Sequence, residues 1–107
     1  MNPSHGLTDE TVAKIHEVLA RFPEVAKAVL YGSRAKGNYK PGSDVDLTLM
    51  GTGMSSEILG RIRGELDDGP LPYTFDVSIF SQLEQADLID HIRRVGVVFY
   101  EKKPLPA

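Results

Sequence analysis

Cysteine is missing altogether from the 107 residues of this chain. That excludes disulfide staples, thiolate zinc sites and cysteine nucleophiles, and it fits a reducing compartment. Histidine is scarce: His5, His16 and His91 are the three copies, and no two stand at metal-ligand spacing. No apolar run approaches the roughly 20 residues that span a bilayer. The first six residues are polar and lack the apolar core of a signal peptide. These absences lead us to expect a cytoplasmic protein with no membrane association. An excess of basic charge is also lacking, the net charge being -3 and the pI about 5.5. An extended nucleic-acid footprint needs a basic face, so none is expected. Repeats, low-complexity segments and interior linkers are absent as well.

What remains is ordinary for a soluble globular chain: 41% hydrophobic and 25% charged residues. The length suits one domain over residues 1–107, with a core of about 8–101. Thr8 is a candidate N-cap, with Asp9 and Glu10 behind it and Val12, Ile15, Val18, Leu19 and Phe22 at helical spacing. The pattern predicts a helix over about Asp9–Arg21, ended by Pro23. Ala26–Tyr31 reads as a short buried strand that turns at Gly32, and Pro41-Gly42 marks a second turn. Asp44–Met50 alternates as a strand with Val45, Leu47 and Leu49 inward and Asp44, Asp46 and Thr48 on the other face.

Ser55 caps a helix carrying Ile58, Leu59, Ile62 and Leu66, which Asp67-Asp68-Gly69-Pro70 stops. Tyr73–Phe80 is the clearest strand, and Ser81 with Glu84 resembles a capping box. The apolar stripe of the last helix starts later, at Leu88, Ile89, Ile92 and Val95, and Gly96 ends it before the strand Val97–Tyr100. Residues from Lys102 onward read as a tail. The expected class is α+β, one small mixed β-sheet with helices packed on it, in the order α-β-short helix-β-α-β-α-β.

The chemistry is concentrated between Gly32 and Leu47, GSRAKGNYKPGSDVDL. Gly32 lets the backbone approach a ligand, and Ser33 offers a hydroxyl and an N–H where a short helix begins. Arg34 and Lys36 add cations, and Gly37 relieves the backbone again. Together they outline a phosphate cradle, without the Gly-Lys-Ser/Thr ending of a P-loop. Asp44 and Asp46 leave the same face of one strand; they repel, and one of them should resist ionising unless a divalent cation intervenes. Oxygen-only ligands suit magnesium, or manganese. Asp76 is the lone charge in an otherwise apolar strand, and it joins the other two acids if that strand pairs beside theirs. Three carboxylates next to a phosphate cradle describe a two-metal phosphoryl-transfer site, in which Asp76 is also placed to take a proton. Alternating acids are also the pattern of a solvated strand face, and Asp76 can also be read as a surface residue.

The segments Gly32-Ser33-Arg34-Ala35-Lys36-Gly37 and Ser43-Asp44-Val45-Asp46-Leu47, followed by Asp76 on a later strand, resemble the DNA polymerase beta-like nucleotidyltransferase superfamily. The likeness is greatest to its minimal nucleotidyltransferase (MNT) branch. Lys36 stands where that pattern has arginine and lacks the bidentate fork. The resemblance implies a nucleotidyltransferase fold, with Asp44, Asp46 and Asp76 catalytic and holding two magnesium ions. It implies that Gly32, Ser33, Arg34 and Lys36 bind the nucleotide and that AMP passes from ATP to an acceptor. It also implies an antitoxin role, the acceptor being a tyrosine hydroxyl of a HEPN-domain toxin, in a homo- or hetero-oligomer. Two other readings stay open: a non-catalytic binding antitoxin, and a small-molecule nucleotidyltransferase acting with a second subunit.

Overall fold

The computed structural model describes residues 6–40, 42–69, 71 and 73–102. Expectations for His5 and the polar start, for Pro41 and Pro70, and for the tail from residue 103 fall outside these residues. Helix α1 (Asp9–Ala20) begins where Thr8, in extended conformation, accepts a hydrogen bond from Thr11 N at 3.1 Å. Asp9 and Glu10 meet the electropositive first turn. Then come β1 (Val25–Tyr31), the single turn α2 (Ser33–Lys36), β2 (Val45–Gly51), α3 (Ser56–Asp68), β3 (Phe75–Ile79), a 3-10 turn at Phe80–Gln82, α4 (Ala86–Val95) and β4 (Val97–Glu101).

The four strands make one mixed sheet in the order β3-β2-β1-β4. Strand β1 is antiparallel to both β2 and β4, while β2 and β3 are parallel and joined through α3. Period-2 alternation gives the sheet two distinct faces. On one, Ala28, Leu30, Val45, Leu47, Leu49 and Val77 lie under Ile15, Val18 and Leu19 of α1 and Ile62 and Leu66 of α3. Each Leu, Ile or Val buried there contributes about 1.5–3 kcal/mol of transfer free energy, so this layer dominates the fold. Exposed Arg21 pairs with Glu17 at 2.6 Å and with Glu65 of α3, a link that adds little by comparison. On the opposite face, Val29 and Tyr31 meet Ile92 of α4, with Met50, Phe80, Leu83 and Leu88 around them. The Nε2 of His16 lies 2.7 Å from Phe99 O and ties α1 to β4, a structural role.

Three local expectations change. The Ser81–Glu84 capping box does not form. Leu83 N instead bonds Phe80 O to close the 3-10 turn, Leu83 packs into the second core, and α4 starts at Ala86 with no side-chain cap. Gly96 does stop α4, though not in a left-handed conformation: φ is -64° and ψ 143°. Its requirement is space, since an added Cβ would overlap Ile92 O and come within 2.7 Å of Val29 Cγ1. Finally, β3 starts at Phe75 rather than Tyr73, whose ring is engaged with Arg34. Among the described residues no helix is long and apolar enough to cross a membrane.

Candidate active site

Strand β1 delivers the chain to Gly32, which has φ 78° and ψ -156°. Side chains rarely tolerate that backbone, and here a Cβ would overlap the Asp46 carboxylate. The glycine is thus what lets the bend and the acid stand in contact. Helix α2 starts directly at Ser33, and Lys36 N bonds back to Gly32 O at 3.1 Å. The first N–H groups of a helical turn have no intrahelical acceptor. Gly37, at φ 88°, ends the turn, its N–H bonding Ser33 O at 2.9 Å.

Asp46 lies on the sheet face opposite the α1/α3 core. In the ladders it pairs with Tyr31 of β1 on one side and with Asp76 of β3 on the other. The pairing on which the sequence argument was conditional is therefore formed, and it aligns Tyr31, Asp46 and Asp76 in one row. Asp46 is half-buried and Asp76 exposed, so the row opens to solvent. Burial, then Asp76, then Asp44 push the Asp46 carboxyl up to about 6, with Arg34 opposing. Burial leads the rise, and the neighbouring acids add the reluctance to ionise expected of crowded carboxylates. Asp44 is exposed, one residue before β2. Among the described residues, no group of three or more His, Asp or Glu side chains stands close enough to hold a metal ion, so the expected convergence of Asp44 with Asp46 and Asp76 is not formed. The donor chemistry nonetheless fits a hard divalent cation: the groups are carboxylate oxygens, and the charge crowded around Asp46 is what such an ion relieves.

The two cations of the cradle diverge. Lys36 is exposed at the end of α2. Arg34 is 2% exposed and turns its donors inward, Nε at 3.1 Å and Nη2 at 2.8 Å from Ser43 O. Its guanidinium lies 5.2 Å from the ring centres of both Tyr39 and Tyr73. An open cleft of about 330 Å³ here is lined by Gly6, Arg34, Tyr39, Lys40, Gly42 and Tyr73.

Sequence reasoning gave no site role to Tyr31 and Ser78, which adjoin the acids, or to His91, which meets Tyr31. Tyr31 is buried; burial pushes its phenol up, a hydrogen bond with Ser78 opposes this, and Asp76 and Asp46 add to the rise. Ser78 donates to Thr48 Oγ1 at 3.0 Å, completing a polar strip beneath the acid row. His91 of α4 meets the Tyr31 ring edge-on at 6.2 Å. Alternation from Asp76 places Ser78 on the acid face; His91 gave no signal before α4 was docked.

A family model described as polymerase beta, nucleotidyltransferase matches residues 13–105. The chain belongs to this nucleotidyltransferase family. No curated protein sequence matches it significantly. Among solved structures, a chain of a toxin–antitoxin complex with AMP-PNP is 15% identical with a TM-score of 0.68, covering 91% of this chain and 76% of that one. A chain from the complex of tri-AMPylated Shewanella oneidensis HEPN toxin with MNT antitoxin is 14% identical at TM-score 0.66, covering 90% and 74%. A candidate nucleotidyltransferase from Sulfolobus solfataricus is 20% identical at TM-score 0.54, covering 91% and 92%. At these identities the likeness is one of fold, and it identifies the mixed sheet as that of a nucleotidyltransferase.

Proposed function

We propose that this nucleotidyltransferase transfers AMP from ATP, with magnesium, to a tyrosine hydroxyl of a HEPN-type toxin and so acts as an antitoxin. The observation that carries the proposal is the register that sets Asp46 beside Asp76 on the open sheet face, against the Gly32 bend. Asp44, Asp46 and Asp76 would hold the metal, two ions in the fullest arrangement, with manganese as an alternative. When bound, the metal supplies charge neutralisation at the triphosphate and at the attacking oxygen.

The chain's own groups do the rest. Gly32 gives the triphosphate backbone access, Ser33 presents a hydroxyl and an N–H to phosphate oxygen, and exposed Lys36 supplies a cation. Asp76, the most accessible acid of the aligned row, accepts the proton of the acceptor hydroxyl. The acceptor oxygen forms its bond to the α-phosphorus as the bond from that phosphorus to the β-phosphate oxygen breaks, and pyrophosphate leaves. The choice of acceptor draws support from the fold likeness to chains of complexes described as containing AMP-PNP and AMPylated HEPN toxin.

The test is to mix the protein with the product of the adjacent open reading frame, ATP and magnesium, and to weigh that product by mass spectrometry. A gain of one or more AMP units, lost with Asp44→Asn, is the expected result. No gain with the native protein would overturn the proposal. Full neutralisation by Asp44→Asn would instead favour a non-catalytic antitoxin.

A further inference from the structure

We propose that Arg34 is a positioning residue: its buried guanidinium fixes the segments leading into Asp44 and Asp76 against the phosphate cradle and does not grip the nucleotide. The inference rests on the proposed function for its consequence, and on contacts of this chain for its substance.

A guanidinium that serves phosphate spends its planar fork on the anion. Arg34 sits on the single turn α2 and is nevertheless 2% exposed, the largest of the fully buried side chains. Two of its nitrogens converge on one acceptor, the carbonyl of Ser43, at 3.1 and 2.8 Å. Its plane is contacted by Tyr39 and Tyr73, each at 5.2 Å, a cation–π arrangement that strengthens as water is excluded.

These contacts join three separate stretches of chain. Arg34 belongs to α2, which Gly32 and Ser33 open. Tyr39 and Ser43 belong to the loop that ends at Asp44. That loop is closed on itself by Ser43 N to Lys40 O at 2.9 Å and Lys40 N to Ser43 Oγ at 2.8 Å. Tyr73 belongs to the approach to β3 and Asp76, stitched to the start of β2 by Val45 N to Thr74 O at 2.9 Å. One side chain therefore joins the cradle to the entrances of two acid-bearing strands. Asp44, exposed and outside the ladder, has the most to lose from a loose loop.

Lysine cannot reproduce the clamp. It keeps the charge but lacks the planar fork that meets one carbonyl with two donors and stacks on two rings. Supporting contacts of this kind are worth about 10–100-fold in metal affinity where they orient ligands.

The experiment compares native protein with Arg34→Lys, Tyr73→Leu and Tyr39→Leu. Amide hydrogen exchange is measured throughout, and Mn²⁺ and AMP-PNP binding are measured separately by calorimetry. Both Arg34→Lys and Tyr73→Leu should speed exchange at Ser43 and Val45 while leaving Leu47 and Leu49 unchanged. Both should weaken Mn²⁺ binding in the absence of nucleotide, Arg34→Lys by about 10-fold. Native exchange at Ser43 and Val45 in both variants would overturn the inference. So would an Arg34→Lys protein that binds Mn²⁺ normally and loses only AMP-PNP, the signature of a direct phosphate ligand. If Arg34→Lys fails to fold, the two tyrosine variants decide on the same criteria. A native protein that binds neither Mn²⁺ nor AMP-PNP would sink the proposed function, while the exchange data would still judge the clamp.

Discussion

Asp46 and Asp76 stand in register across the parallel ladder of β2 and β3, and the backbone of Gly32 is packed against the first of them. The arrangement places a repulsive pair where an apolar or neutral pair would be more stable. Replacing Asp46 by Asn should therefore separate stability from function. We expect transfer to fall by more than about 100-fold, since a ligand rather than its support is removed. The metal-free melting temperature at pH 8 should stay level or rise. Paired thermal melts and transfer assays check both, and a marked drop in stability would contradict the repulsion argument.

The pH dependence follows from the same carboxyl. The folded chain holds the Asp46 proton up to about 6, against 3.8 for an ordinary aspartate. Between those values the native state binds more protons than the unfolded one, so this group's contribution to stability falls as pH rises. It is fully present below about pH 4 and lost above about pH 6. Denaturant titrations from pH 4 to 8, native protein against Asp46→Asn, should show a difference that opens through this window. Added Mg²⁺ should narrow the difference at pH 8. A constant difference across the range would refute the assignment.

Gly32→Ala forces a side chain into a positive-φ position and into the Asp46 carboxylate. Positive φ alone costs an alanine about 1 kcal/mol or more, and the collision adds to it. Both folding stability and transfer should decline, read by urea unfolding and by mass spectrometry of the acceptor. An alanine variant as stable and active as the native chain would show that the bend relaxes freely.

Thr8→Ala tests the start of α1 away from the site. It removes the acceptor for Thr11 N and the hydroxyl that bonds Thr11 Oγ1 at 2.8 Å. A loss of about 1 kcal/mol is expected, with nucleotide binding unchanged. Urea midpoints together with AMP-PNP calorimetry make the comparison.

Most of the frame was legible because it rests on period and local turn chemistry. Val45, Leu47 and Leu49 alternate with Asp44, Asp46 and Thr48, and the structure buries the first set under α1 and α3. Thr8 and Ser55 announced their helices correctly. What stayed hidden depends on partners far apart in sequence. Arg34 reads as a cation of the phosphate cradle until Tyr39 and Tyr73 are seen against it. The Ser81–Glu84 pattern fits a capping box, yet tertiary packing of Leu83 delays α4 to Ala86. Asp76 carried an if, because no local signal tells which strand lies beside which.

Strand β2 has neighbours on both sides, and its inward leucines alternate strictly with its acid. A slip of one residue in either ladder would swing Asp46 into the oily layer and push Leu47 into water. Alignment of the acids is thus enforced by the same alternation that excludes water from the interior. A chain of this kind that packs correctly has its chemistry aimed, and one that mispairs should betray itself by aggregating before it misfires.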